Sequence, residues 1–265
     1  MAHQYQTTWF RAGQQQPLRN VRIHSPSLIH ILSGSKRLFW KDSTVEVMSS
    51  QCLPCEASAS LSFDNLPHNG RFLSRMISFH CQPTEAMLTL SQTVSKARDQ
   101  QGASPMFEVD SALNATLDAL FSFDLNTMSE ATQTFWVMGV YQQLAEQGQL
   151  HPLFPQAQVT FSQQISLYVS HSPSEEHALD DVAAHFAMSR ATLIRKLKLE
   201  GRQYREVLAE VRLNHALYLM QHGDSNVALL AQCCGYQSEG RFSQRFKGKF
   251  GVTPSGYLKT LSAST

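Results

Sequence analysis

The chain has 265 residues, of which 42% are hydrophobic and 16% charged, with a net charge of +1 at pH 7. That apolar content supports a packed core and excludes wholesale disorder, and the length predicts one large domain or two ordinary ones. There is no run of 18 uncharged apolar residues, so no transmembrane helix is expected, and the opening MAHQYQTTWFRAG lacks a signal peptide's apolar run, so the expected location is the cytoplasm.

Charge is unevenly distributed. Residues 1–160 hold 10 Lys and Arg against 12 Asp and Glu, whereas residues 190–265 hold 12 against 5. The C-terminal segment carries the positive field, which suits a polyanion-binding module joined to a different unit. Five cysteines in so long a chain do not make a disulfide scaffold.

In chain order, short strands come first. Leu28–Leu32 is a compact apolar run followed by a turn at Ser33-Gly34-Ser35. Leu38–Trp40 and Thr44–Met48 flank a polar turn at 41–43. Between Ala57 and Phe63 apolar residues alternate with serines, the period of a strand with one buried face. Phe72–Phe79 is the next strand. Strands so closely spaced predict a small antiparallel barrel or sandwich.

After residue 84 the period changes. Residues 107–123 and 129–147 have helical spacing, the second with Phe135, Met138, Tyr141 and Leu144 near one face and Gly148 as its stop. His151–Pro155 reads as a connector, and the remainder as all helical, with a polar break at His171–Glu176.

Cys52-Leu53-Pro54-Cys55 has the spacing of half a zinc site or of a redox pair. No second Cys-x-x-Cys completes a four-ligand set, although His80-Cys81 could assist, so packing in a barrel is the expected role. No His-x-His pair accompanies the strands, and no Ser-His-Asp set or paired carboxylates emerge. Neither a metal site, a cofactor nor enzymatic activity is expected. Stoichiometric iron or zinc in the purified protein would revive the alternative of a DNA-targeted cupin-type enzyme.

The C-terminal region contains a divergent internal repeat, with copies at about 179–198 and 229–249. Ser189 corresponds to Ser238, Leu193 and Leu197 to Phe242 and Phe246, and Lys198 to Lys247. Each copy reads as a short helix, a tight turn and a second helix capped by serine, a helix-turn-helix whose polar or basic face is free for a major groove. Gly235 suits the second turn. Between the copies, Tyr204–Gln221 reads as one helix with two apolar faces, Val207, Leu208 and Val211 on one and Leu213, Ala216, Leu217 and Met220 on the other. Such a helix suits a rigid bridge packed between two units.

The motifs Ser189-x-x-x-Leu193-x-Arg195, Glu200-Gly201, Arg212-x-x-x-Ala216, Gly235-Tyr236-x-Ser238, Phe242-x-x-x-Phe246-Lys247 and Phe250-Gly251-x-x-Pro254-x-x-Tyr257 resemble the DNA-binding domain of the AraC/XylS family of bacterial transcription regulators. Lys259 stands where that family usually has Arg. The resemblance implies an α+β chain: a cupin-like β-barrel with helices over 1–155, for regulation or dimerisation, and an all-α DNA-binding domain over 161–265. It implies base-reading positions at Ala191, Ile194 and Arg195 in the first unit and Gly240, Ser243 and Gln244 in the second. Arg195 suits guanine and Gln244 adenine, whereas Gly240 offers no side chain. Arg190, Lys198, Arg241, Arg245, Lys247 and Lys249 are expected on phosphates. Double-stranded promoter DNA, RNA polymerase, a homodimeric partner and an apolar effector such as a fatty acid are the implied partners, activation is the expected role, and control by a protein partner is the alternative to a metabolite.

Overall fold

The computed structural model describes residues 3–40, 43–98, 106–155 and 159–262. Eight strands run in succession: β1 (Tyr5–Ala12), β2 (Gln16–Arg22), β3 (Ser27–Ser33), β4 (Ser35–Trp40), β5 (Ser43–Val47), β6 (Gln51–Cys55), β7 (Ser60–Leu66) and β8 (Phe72–Phe79). Next come α1 (Glu85–Arg98), the short β9 (Phe107–Glu108), α2 (Ser111–Ser122) and α3 (Glu130–Glu146). The rest is helical: α4 (Phe161–Ser170), α5 (Leu179–His185), α6 (Arg190–Leu199), α7 (Tyr204–Gln221), α8 (Val227–Cys233), α9 (Glu239–Phe250) and α10 (Pro254–Leu261).

The described strands form two antiparallel sheets, ordered β1-β8-β3-β6-β9 and β2-β7-β4-β5, and do not close into one barrel. The β2 edge is bulged between Leu18 and Val21, where Asn20 takes φ 54, and α9 packs against it. Gly34 turns β3 into β4 with φ +75, and a Cβ there would lie 2.5 Å from the Leu66 carbonyl oxygen, so only glycine fits. The expected polar turn at 41–43 lies partly outside the described residues.

Three expectations are corrected. The alternating stretch from Ala57 enters its strand only at Ser60, because Ser58 sits at φ 73 and bends the chain first. The helical pattern from 107 begins as β9, and Asp110 then caps α2 by accepting from the Leu113 N–H. Phe135 is 75% exposed. The buried face of α3 is Gln133, Val137, Val140, Tyr141 and Leu144, which packs with α2, Tyr5 and Phe79.

The two apolar faces of α7 enter two different cores. Val207 and Val211 join Phe161, Ile165, Val182, Leu193 and Leu197. Leu213, Ala216, Leu217 and Met220 join α8, α9 and α10, and that cluster continues without a break into Leu18, Ile29, Leu38, Leu61 and Phe72 of the two sheets. The second helical unit is therefore built onto the strands. Gln221 reinforces the seam: its amide oxygen accepts from the Arg11 N–H at 2.9 Å, and its Nε2 donates to the Arg11 carbonyl at 3.1 Å and to the Tyr257 hydroxyl at 2.6 Å.

Candidate nucleic-acid interface and adjoining cavity

Both repeat copies fold as helix-turn-helix units. Ser189 Oγ accepts from the Thr192 N–H at the start of α6, and Ser238 Oγ accepts from the Arg241 N–H at the start of α9. Leu193 and Leu197 are buried under α6, and Phe242, Phe246 and Phe250 under α9. Burial of these i, i+4 pairs fixes which face looks outward. On α6 that face presents Ala191, Ile194 and Arg195, all exposed, with Ile194 at 47%. On α9 it presents exposed Gly240 and Gln244, with Ser243 half-buried, and a Cβ on Gly240 would meet nothing within 4 Å.

Lys198, Arg241, Arg245 and Lys247 are exposed, as a phosphate contact requires. Arg190 is exposed and lies 3.6 Å from Asp180 of α5, a pair that solvent screens. Arg195 forms no ion pair among the described residues. Lys249 is the correction. Its side chain is only 17% exposed, and its ammonium donates to Glu210 Oε1 at 2.9 Å. That ion pair commits the Lys249 side chain to α7 within the fold.

Glu210 of α7 is a junction that the repeat pattern did not reveal. Its second oxygen accepts from Arg202, in the segment after α6, while the first holds Lys249 of α9. Burial alone would raise the Glu210 carboxyl, but Lys249 and Arg202 outweigh it and hold the pKa below the usual value. One carboxylate thus ties both helix-turn-helix units to the bridge. Arg212 makes a second tie. It donates to the Pro173 and Glu175 carbonyls at 3.1 and 2.8 Å. A Cβ on Gly235, which has φ +70, would lie 2.7 Å from the Arg212 guanidinium. The turn of the second unit therefore favours glycine for its backbone, and a Cβ there would have to displace the guanidinium from its position. Glu200 caps α4 by accepting from the Phe161 and Ser162 N–H groups at 2.7 and 3.0 Å, which places negative charge at a helix N-terminus.

Between the sheets and the helices lies a cavity of about 200 Å³, lined by residues of both sheets and by Ser166 and Leu167 of α4 and Val211, Asn214, Leu217 and Tyr218 of α7. Its lining includes Phe10, Leu18, Ile29, Leu61, Phe63 and Met76, and one fully buried cation, Lys36. Lys36 Nζ donates to Asn65 Oδ1 at 2.5 Å and lies 3.6 Å from the Phe63 ring centroid. It has no carboxylate within ion-pair distance among the described residues, and burial pushes its pKa down to about 7. The Asn65 amide donates on to Gln16, and Gln16 to Thr260 of α10, so hydrogen bonds run from Lys36 to the last helix. An isolated lysine in the strand SKRLFW carried no signal that it would face inward.

Cys52 and Cys55 are buried, and burial pushes both thiols up, Cys55 to about 12. Protonated thiols in an apolar setting are poor metal ligands and poor nucleophiles.

A family model described as a helix-turn-helix domain matches residues 182–260. The porin thermoregulatory protein EnvY of Escherichia coli (strain K12) is 35% identical over 77 residues, 29% of this chain and 30% of that protein. The urease operon transcriptional activator of Escherichia coli is 32% identical over 96 residues, 36% of this chain and 32% of that protein. The matched segment thus spans about a third of the length of these relatives. Over nearly the whole chain the fold is similar to ToxT from Vibrio cholerae, with a TM-score of 0.61 at 18% identity, covering 98% of this chain and 99% of that one. ToxT from strain SCE256 has been solved with an unsaturated fatty acid bound, and its TM-score is again 0.61, at 15% identity, covering 98% of this chain and 97% of that one. Residues 182–260, which the helix-turn-helix family model matches, hold most of both serine-capped units and the bridge α7 between them.

Proposed function

We propose that the chain is a cytoplasmic, sequence-specific transcription regulator and not an enzyme, and that it binds promoter DNA through α6 and α9 and an acidic apolar effector in the cavity between the sheets, α4 and α7. The division of labour follows the two halves, 1–155 for regulation and 161–265 for DNA. Two recognition helices whose outward faces are free, held on one bridge, are the observation that carries the DNA-binding reading. Ala191, Ile194 and Arg195 read bases in the first unit and Ser243 and Gln244 in the second, with Gly240 adding no side chain. Arg190, Lys198, Arg241, Arg245 and Lys247 hold phosphates. Activation through RNA polymerase, as a homodimer, completes the proposal. Its support is the activator among the similar proteins.

Reading and holding are separable. Arg195→Ala is expected to lose ~1–3 kcal/mol on the cognate site and to relax the preference at one base. Lys247→Ala is expected to weaken all DNA about equally and to flatten the log–log salt dependence by ~0.9. Titrations of cognate and scrambled duplexes at several salt concentrations check this. Equal losses by Arg195→Ala on both duplexes would remove it from base reading.

Lys36 supports the acidic effector. A buried ammonium without a counter-ion, in a cavity with more apolar than polar surface, is stabilised by a ligand carboxylate. The pH dependence has a definite sign. In the free protein Lys36 loses its proton above about pH 7, and bound carboxylate favours the charged form. Affinity for dodecanoate is therefore level below that value and falls above it, by on the order of tenfold between about pH 6.5 and 8.5. Calorimetric titration checks it, and Lys36→Met is expected to bind weakly with a flat profile. A flat profile in the parent would sink the assignment of Lys36.

A further inference from the structure

The cavity contains a second polar place, at the opposite end of the sheet from Lys36. Lys36 pairs with Asn65 across β4 and β7, and Gln16 pairs with Asn65 across β2 and β7, so these three residues form one row. Arg22 pairs with Ser60, five residues further along β7, and His24 follows Arg22 by two. At ~3.3 Å per residue the two ends are ~17 Å apart.

At this far end two polar atoms are shut off from solvent without a hydrogen-bond partner, His24 Nε2 and Asn214 Oδ1, and both residues line the cavity. Burial holds the His24 pKa down at about 4, so the ring is neutral, with Arg22, Lys249 and Arg202 opposing protonation and only Glu210 favouring it. The Asn214 amide cannot be turned around, because its Nδ2 donates to the Arg22 carbonyl at 2.6 Å. Its Oδ1 can therefore only accept. An ionised carboxylate, which has nothing to donate, cannot satisfy it, whereas a hydroxyl can donate its one proton to Asn214 Oδ1 and accept from the His24 Nε2–H. Leu18, Val21, Ile29, Leu61 and Phe63 supply apolar lining to the same cavity.

We propose that the effector is an apolar carboxylic acid bearing a hydroxyl at the far end of its hydrocarbon body, with the acid at Lys36 and the hydroxyl at Asn214 and His24. This rests on the reading of the cavity as an acid-binding site. It adds that the ligand joins β4 of the sheets to α7, the helix that carries both DNA-binding units. Spanning ~17 Å takes about thirteen bonds from carboxylate oxygen to hydroxyl oxygen, each advancing ~1.3 Å in an extended chain, which suggests 12-hydroxydodecanoate as a probe and dodecanoate as its matched control.

The test is calorimetric titration of the full chain with each acid. The hydroxy acid is expected to bind about tenfold tighter than dodecanoate, because it satisfies a buried acceptor that dodecanoate leaves bare. That advantage is expected to vanish in Asn214→Ala and to shrink in His24→Ala, while both variants still bind dodecanoate, which also shows that they are folded. Lys36→Met is expected to weaken both acids. Equal or weaker binding of the hydroxy acid by the parent overturns the hydroxyl site and leaves the acid site standing. An advantage that survives in both Asn214→Ala and His24→Ala also overturns it. Failure of the parent to bind either acid overturns the acid site itself.

Discussion

Glu210→Ala is expected to lower the unfolding free energy by about 3 kcal/mol, toward the low end for a broken buried pair because the side chains keep some exposure. Glu210 is 14% exposed, and its two oxygens hold Arg202 and Lys249. Removing the carboxylate leaves those two cations facing each other, with Arg22 near Arg202 as well. The desolvation already spent on them is then uncompensated. Urea unfolding measures the loss, and a change below about 0.5 kcal/mol would show that solvent screens the junction. The pH dependence follows from the lowered Glu210 pKa. A carboxyl held below its unfolded value contributes stability that is fully present above roughly pH 4.3 and is lost as pH falls through the folded value. The parent should therefore lose stability on acidification more steeply than Glu210→Gln does. Because Glu210 ties α9 and the segment after α6 to one helix, the variant is also expected to lose affinity on the cognate site more than on scrambled DNA.

Inserting about 5 bp between the two contacted half-sites is expected to abolish specific binding by the full chain. The bridge α7 has 18 residues and so is ~27 Å long, of the order of the ~34 Å that separates successive major-groove faces. Packing on two faces and the ties at Glu210 and Arg212 leave the units little freedom to follow half-sites turned by half a helical turn. Inserting a full turn of about 10 bp restores the face but lengthens the gap, so it is expected to recover little. Electrophoretic titration on native and spaced duplexes decides the matter. Unchanged affinity on the shorter insertion would mean that one unit binds alone, and Gly240, with its missing side chain, makes the second unit the one to be idle.

The local elements of the C-terminal half could be read because their signals are local. Serine caps, i, i+4 apolar pairs and a glycine turn each act within a few residues, and α6, α7 and α9 start where those signals place them. The two-faced pattern of α7 likewise anticipated two cores. Strands gave way less evenly. β8 matched its apolar run, but β1, β2 and β6 had no period strong enough to mark them, because their buried positions do not alternate regularly and β2 is interrupted by its bulge. Phe135 shows the same weakness in a helix, since periodicity marks a face without saying which side of it will be covered.

From its own residues the chain declares the caps, the repeat, the bridge and the outward faces of the recognition helices, because each is set by contacts within one or two turns. The functional interior was decided only by tertiary structure. Lys36, Glu210, Lys249, His24 and Asn214 are unremarkable polar residues along the chain, and three of the five would be taken for solvated side chains. Lys36 becomes a buried cation because two sheets close over β4. Lys249 is drawn into an ion pair because α7 brings Glu210 within 2.9 Å. His24 and Asn214 become neighbours of one cavity because α7 crosses the end of β2, 192 residues away in sequence at the Asn214–Arg22 hydrogen bond. Burial and the lack of a partner confer these roles, and both depend on which distant segments fold against a residue.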